Sequence, residues 1–307
     1  MHCDTLTVCA DKGADVAVCG LQTSFENLRK SGCAAQCFAI FTEGENSAEK
    51  FETYLDYYKQ MLDKHKDICA PITNSAQIER AEKEDRLGCI LTVENLGFIG
   101  GDLDKLTCLK QEGVKMASLV WNYENALARP NLIFENGLPS FEKRDARGLT
   151  ELGRQAVERL DELKIIIDIS HLSDGGAEEI LEGRKTPIVA SHSNAQKVCN
   201  VSRNLSDKLI KKTADCGGVI GINFCADFLG GEAFESVYNH LTHLIKIGGE
   251  GVVALGSDFD GIPEVKNLED CTRVPKLFDY LLSRGIKPRT LENFAFNNFL
   301  RVFKEFD

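Results

Sequence analysis

No stretch of this sequence stays apolar for long. The longest runs, such as KIIIDIS at 164–170, are strand-sized and fall far short of the roughly 20 residues that a membrane helix needs. The first thirty residues carry no basic stretch followed by an apolar one, the pattern of a secretory signal. Positive charge is in short supply: 36 lysines and arginines face 47 aspartates and glutamates, for a formal charge of −11. That balance argues against nucleic acid, or an anionic membrane surface, as a partner. There is no CxxC pair, no Pro- or Ser-rich linker, no internal repeat and no low-complexity tract. One domain over residues 1–307 is therefore expected. The twelve cysteines are scattered, so free thiols in a reducing cytoplasm are expected rather than a disulfide framework.

What the sequence does have is alternation. Seven strand-like runs, AAQCFAIFT, GCILTVEN, VKMASLV, KIIIDIS, TPIVAS, GGVIGINF and GVVALGSD, are separated by amphipathic helical stretches. Several of these runs are apolar at nearly every position, as expected of parallel strands covered on both faces. Helices are predicted over 49–63, 103–111, 150–163, 175–182, 207–215, 233–247, 274–283 and 289–303, with turn residues such as Ser173-Asp174 and Gly248-Gly249 at their ends. Seven strands alternating with helices over about 300 residues predict an α/β fold. The candidates are a TIM-like (β/α)8 barrel lacking one strand and a doubly wound sheet. The irregular stretch 122–148 exceeds the usual loop length and predicts a functional excursion at the barrel rim.

The polar residues fall where such a barrel would use them. Glu94 ends one strand, His171 and His192 follow two others, and Asp258 ends a fourth. In a barrel these edges converge on one rim. His2 and Asp4 fit the same rule if they end a strand, since residues i and i+2 share a face. Three histidines and two carboxylates suit zinc or a similar divalent ion with positions left open for water and substrate. Five ligands exceed the needs of one catalytic ion. They suit two ions about 3.5–4 Å apart, with Glu94 as the bridge. The remaining histidines read as structural, His65 after a helix and His240 and His243 facing solvent.

The segments HCDT, VEN, WNYEN, RGLTELGRQAVERLDELKIIIDISHLSD, SHSNA, RNLSD, GSDFDG and NFLRVF, in this order and spacing, resemble the membrane dipeptidase (renal dipeptidase) family of zinc peptidases, family M19, in its bacterial cytoplasmic branch. The resemblance implies a distorted (β/α)8 barrel of the metal-dependent hydrolase type, whose binuclear zinc centre hydrolyses dipeptides. Carried over position by position, His2 and Asp4 bind one zinc, His171 and His192 bind the other, and Glu94 bridges them. Asp258 matches the family's acid/base, and Arg203 the residue that receives the dipeptide's carboxylate. Where mammalian members place a substrate-binding histidine this chain has Asn122, and where they place a tyrosine it has Cys225. Both changes bear on substrate preference more than on the reaction. The family's habit suggests a homodimer.

Only Met1 precedes His2, so the first barrel strand is expected to be truncated, with two unpaired edges and a weakly anchored first ligand pair. Two competing readings remain. One is another binuclear-metal amidohydrolase or lactonase, against which Arg203 speaks because a neutral lactone offers no carboxylate. The other is a catalytically silent binding protein, against which the complete ligand set speaks.

Overall fold

The computed structural model describes residues 1–231 and 233–307. Eight parallel strands form the central sheet: β1 His2–Cys3, β2 Ala35–Phe41, β3 Leu87–Glu94, β4 Met116–Ser118, β5 Ile166–Asp168, β6 Val189–Ala190, β7 Val219–Asn223 and β8 Val253–Phe259. Their hydrogen-bonded order, β1-β8-β7-β6-β5-β4-β3-β2, is that of a (β/α)8 barrel with one open seam, between β1 and β2. A ninth short strand, Cys69–Pro71, pairs with the start of β3. The doubly wound alternative is excluded, because that topology reverses strand order at a switch point.

The apolar runs become strands for the reason their composition implied. β3 and β7 are buried at every position, with the barrel interior on one side and helices on the other. Helices are fixed by their caps. Ser173, Ser206 and Thr150 each accept a hydrogen bond from a backbone amide three residues on, satisfying donors that the first helical turn leaves open. The predicted terminal helix is interrupted: Pro288–Glu292 and Asn298–Lys304 flank a π-turn at Asn293–Asn297. Among the described residues, four α-helices escape the sequence reading: Thr5–Lys12, Phe25–Lys30, Ser75–Lys83 and the single turn Ala226–Leu229. Among the described residues, no helix is long and apolar enough to cross a membrane.

The first strand is shorter than its neighbours, yet its ligand pair is anchored. β1 pairs with β8 through His2↔Ser257 and Cys3↔Phe259. Asp4 N donates to Phe259 O at 3.0 Å, and Ser257 Oγ donates to His2 O at 3.0 Å. On the seam side the Cys3 thiol lies 3.4 Å from Cys37 O. One strand edge is thus enough to hold both side chains in place. The stretch 122–148 carries an antiparallel hairpin, Ile133–Glu135 with Leu138–Ser140, so it is partly ordered by strand pairing of its own.

His240 corrects the sequence reading. It is fully buried rather than solvent-facing, because both ring nitrogens find backbone partners. Nδ1 accepts from Ala195 N at 3.1 Å, and Nε2 donates to Leu229 O at 3.2 Å. His243 is half-buried against Asp207. Burial pulls the His240 pKa down to about 4, below the ordinary 6.5 of an unfolded chain. Between those values the unfolded state takes up the proton and the folded state does not. Stability is therefore lost as pH falls through that window. From pH 7 to 5 this single group costs about 2 kcal/mol. Urea denaturation at both pH values checks it: the loss should shrink by about that amount in His240→Gln, and an equal loss in both proteins would contradict the assignment.

Candidate metal centre

The C-terminal ends of the strands bring the singled-out residues together: Asp4, Glu94, His171, Arg203 and Asp258 line one cavity of about 730 Å³, and His2 and His192 lie directly against them. His2 Nε2 lies 3.3 Å from Asp4 Oδ2, 3.4 Å from Glu94 Oε2 and 3.6 Å from Asp258 Oδ1. On the other side, Glu94 Oε1 lies 2.9 Å from His171 Nε2 and 3.5 Å from His192 Nε2. The two imidazole nitrogens are themselves 2.9 Å apart. Glu94 therefore turns one oxygen toward His2 and the other toward the His171–His192 pair. All six residues are buried, none more than 8 % exposed.

The backbone bends to achieve this. His171, Ser257 and Asp258 have φ of 68°, 42° and 72°, the left-handed region that costs a non-glycine residue about 1 kcal/mol or more. Such outliers cluster where side chains must be aimed, and here they sit at the ends of β5 and β8. Gly261 completes the floor, because a side chain there would run into the carboxylates of Asp4 and Asp258.

The electrostatics are those of a site built for cations. Burial alone would raise Glu94, but the His2 charge and the closeness of the three imidazoles hold it well below the usual carboxylate range. Burial pulls His2 down, yet Asp4 and Glu94 outweigh it and raise His2 well above its ordinary value. His171 is lowered to about 4 by burial and the nearby Arg203 charge. Asp258 is pushed up to about 8 by burial, with Asp4 and Glu94 adding to the rise. Burial likewise raises Asp4, whose Oδ1 has no hydrogen-bond partner. Buried carboxylates facing one another, with an orphaned oxygen among them, are costly unless a cation pairs with them. The donor set fits a divalent ion: His2, Glu94 and His192 lie close enough to share one, and so do His2, Asp4 and Asp258.

Arg203 is 2 % exposed, with its guanidinium 5.3 Å from the centre of the Phe228 ring. Its Nη2 lies 3.1 Å from His171 Nε2 and 3.4 Å from His192 O. Among the described residues, no carboxylate comes within ion-pair distance of it, so a buried cation faces the cavity without an anionic partner. Asn122 Oδ1 lies 2.9 Å from His171 Nδ1 and Asn122 also lines the cavity, as does Cys225.

Sequence reasoning missed the cavity walls. Phe41, Trp121, Tyr123, Phe134, Phe141 and Phe228 line it, and Tyr123 stacks on Phe134 with centroids 4.8 Å apart. Phe134 comes from the hairpin in the long excursion, which only the loop's length hinted at. Asn223, which donates to Asp258 Oδ2 at 2.8 Å, was also missed. Its signal is a polar residue at the end of the apolar run GGVIGINF.

Comparison with known proteins bears on the same site. Residues 1–307 match the family model described as membrane dipeptidase (peptidase family M19). A Klebsiella pneumoniae protein described as an uncharacterized protein in the pqqA 5'region is 32% identical over 238 residues, covering 75% of this chain and 86% of that protein. A metallo peptidase from Rhodobacter sphaeroides, liganded with a phosphinate mimic of the dipeptide L-Ala-D-Ala, superposes with a TM-score of 0.92 at 23% identity, covering 100% of this chain and 98% of that one. The probable dipeptidase PvdM from Pseudomonas aeruginosa superposes at 0.87 and 20% identity, over 96% of this chain and 91% of its own. At such identities the superpositions establish the barrel fold.

Proposed function

The chain belongs to the membrane dipeptidase family, peptidase family M19, and from that premise we propose that it is a zinc-dependent dipeptidase. His2 and Asp4 would hold one ion, His171 and His192 the other, with Glu94 shared between them. Zinc is favoured by nitrogen-rich ligation. Held there, two divalent cations supply Lewis acidity toward a water and toward the scissile carbonyl.

The chain's own residues do the rest. Arg203 receives the α-carboxylate of the substrate in a planar fork suited to it, which sets the substrate at one peptide bond beyond the clamp. Asp258, steadied by Asn223, takes a proton from the attacking water and hands it to the leaving amine. The Asn122 amide faces the cavity beside His171 and can donate one hydrogen bond to the substrate. The aromatic walls exclude water and receive the side chains. The free state of all twelve cysteines supports a reducing compartment, the cytoplasm.

The observation that carries the dipeptide reading is the buried Arg203, a cation beside the ligand cluster with no carboxylate of the described residues within ion-pair distance. The Rhodobacter sphaeroides protein's dipeptide-mimic ligand supports the same substrate class. A lactonase would leave that buried charge unanswered. A panel of dipeptides assayed with added zinc and with a chelator tests the proposal. Hydrolysis should require the metal and return on its restoration, whereas hydrolysis indifferent to chelation would overturn it.

A further inference from the structure

Asp168 is a buried acid that the reaction does not touch. It ends β5, interrupts the apolar run KIIIDIS, and is 5 % exposed. Its Oδ1 accepts from the backbone amides of Ser170 and Ser191, both at 2.9 Å. Its Oδ2 takes the hydroxyl of Ser191. That same Ser191 Oγ lies 2.8 Å from His192 Nδ1, while His192 N donates to Ser170 Oγ at 3.2 Å. Main chain and ring of His192 are thus both tied to this cluster.

The direction of these bonds matters. With two amides on Oδ1, the carboxylate accepts the Ser191 hydroxyl hydrogen on Oδ2. The Ser191 oxygen then turns a lone pair toward His192, which can meet it only with a proton on Nδ1. Nε2 is left bare, facing Glu94 and His171. A histidine ligates through an unprotonated nitrogen, and its other nitrogen decides which one that is. We propose that Asp168 is a positioning residue for metal binding, holding His192 through Ser191 in the form protonated at Nδ1. His171 is served separately, by Asn122 Oδ1 at 2.9 Å from its Nδ1. The inference rests on the metal-binding part of the function above and not on the substrate.

Asp168→Asn is nearly isosteric but reverses the relay. The carboxamide oxygen stays on the two amides and its NH₂ meets Ser191 Oγ. The serine hydroxyl must then donate elsewhere, to His192 Nδ1 at 2.8 Å or to Ser170 Oγ at 3.3 Å; the shorter contact favours His192 and moves the ring proton to Nε2. Two readouts follow. In the metal-free, histidine-¹⁵N-labelled full chain, NMR should find His192 protonated at Nδ1 in the wild type and at Nε2 in the variant. Calorimetric titration with zinc should show the ion that uses His192 bound about 10–100-fold more weakly in the variant, with Ser191→Ala also weakened.

A wild-type His192 protonated at Nε2 would overturn the proposal even if the variant did not fold. So would a folded Asp168→Asn that is less heat-stable yet keeps both the wild-type tautomer and the wild-type zinc affinity, the result of a merely structural role. Tight zinc binding with no dipeptide hydrolysis would sink the dipeptidase reading and leave this one standing.

Discussion

Replacing Glu94 with glutamine will lower kcat for dipeptide hydrolysis by about 10³-fold, equivalent to about 4 kcal/mol of barrier, and will strip at least one ion from each chain. The variant keeps the shape of the side chain and removes what the geometry uses. Glu94 Oε2 faces His2 at 3.4 Å, and Oε1 faces His171 at 2.9 Å and His192 at 3.5 Å. A carboxamide has one acceptor oxygen for two groups of ligands, and its NH₂ points a donor where an ion would sit. Glu94 forms no side-chain bond to the backbone that pairs β3 with its neighbours, so the barrel should survive. Elemental analysis beside steady-state kinetics checks both halves. Full metal content with kcat within tenfold of wild type would remove Glu94 from the bridging role, and Glu94→Asp, which keeps the charge, should recover part of the loss.

The second large effect is expected at Arg203. Truncating one partner of a buried charge pair costs 2–5 kcal/mol or more, so Arg203→Ala should raise KM for dipeptides by about 10²-fold. The comparison that isolates the clamp uses the same dipeptides with a C-terminal amide, which present no carboxylate. Their kcat/KM should already be low in the wild type and change little in the variant. Arg203→Lys keeps the charge without the planar fork and should fall between the two. Because Arg203 Nη2 also lies 3.1 Å from His171 Nε2, metal content must be measured in each variant. An equal loss on acid and amide substrates would mean that Arg203 supports the ligands and does not grip the substrate.

Much of this site was legible in the sequence, and for a physical reason. A parallel strand buried on both faces tolerates few polar residues, so Glu94 at the end of CILTVE and Asp258 at the end of VALGS stand out against apolar runs. The barrel then carries those ends to one rim, although His2 and Asp258 lie 256 positions apart in the chain. Residues whose role depends on a neighbour were harder to see. Asp168 is one residue among isoleucines, and its meaning lies in Ser191 and His192 on another strand end. His240 looks like a surface histidine until the carbonyl of Leu229 and the amide of Ala195 are seen to fill its hydrogen-bonding needs. The helix Thr5–Lys12, TLTVCADK, has two threonines, a valine and a cysteine, residues of modest helix propensity. It forms by packing, burying Thr5, Leu6, Thr7 and Cys9. The π-turn at Asn293–Asn297 leaves no mark in the periodicity around it.

The measurement that bears most directly on the centre is the metal content of the zinc-loaded wild-type chain, with ion positions taken from anomalous scattering in a crystal. Two ions per chain are expected, about 3.5–4 Å apart, one beside His2 and Asp4, the other beside His171 and His192, and Glu94 between them. A single ion, or ions bound away from Glu94, would contradict the shared-carboxylate centre.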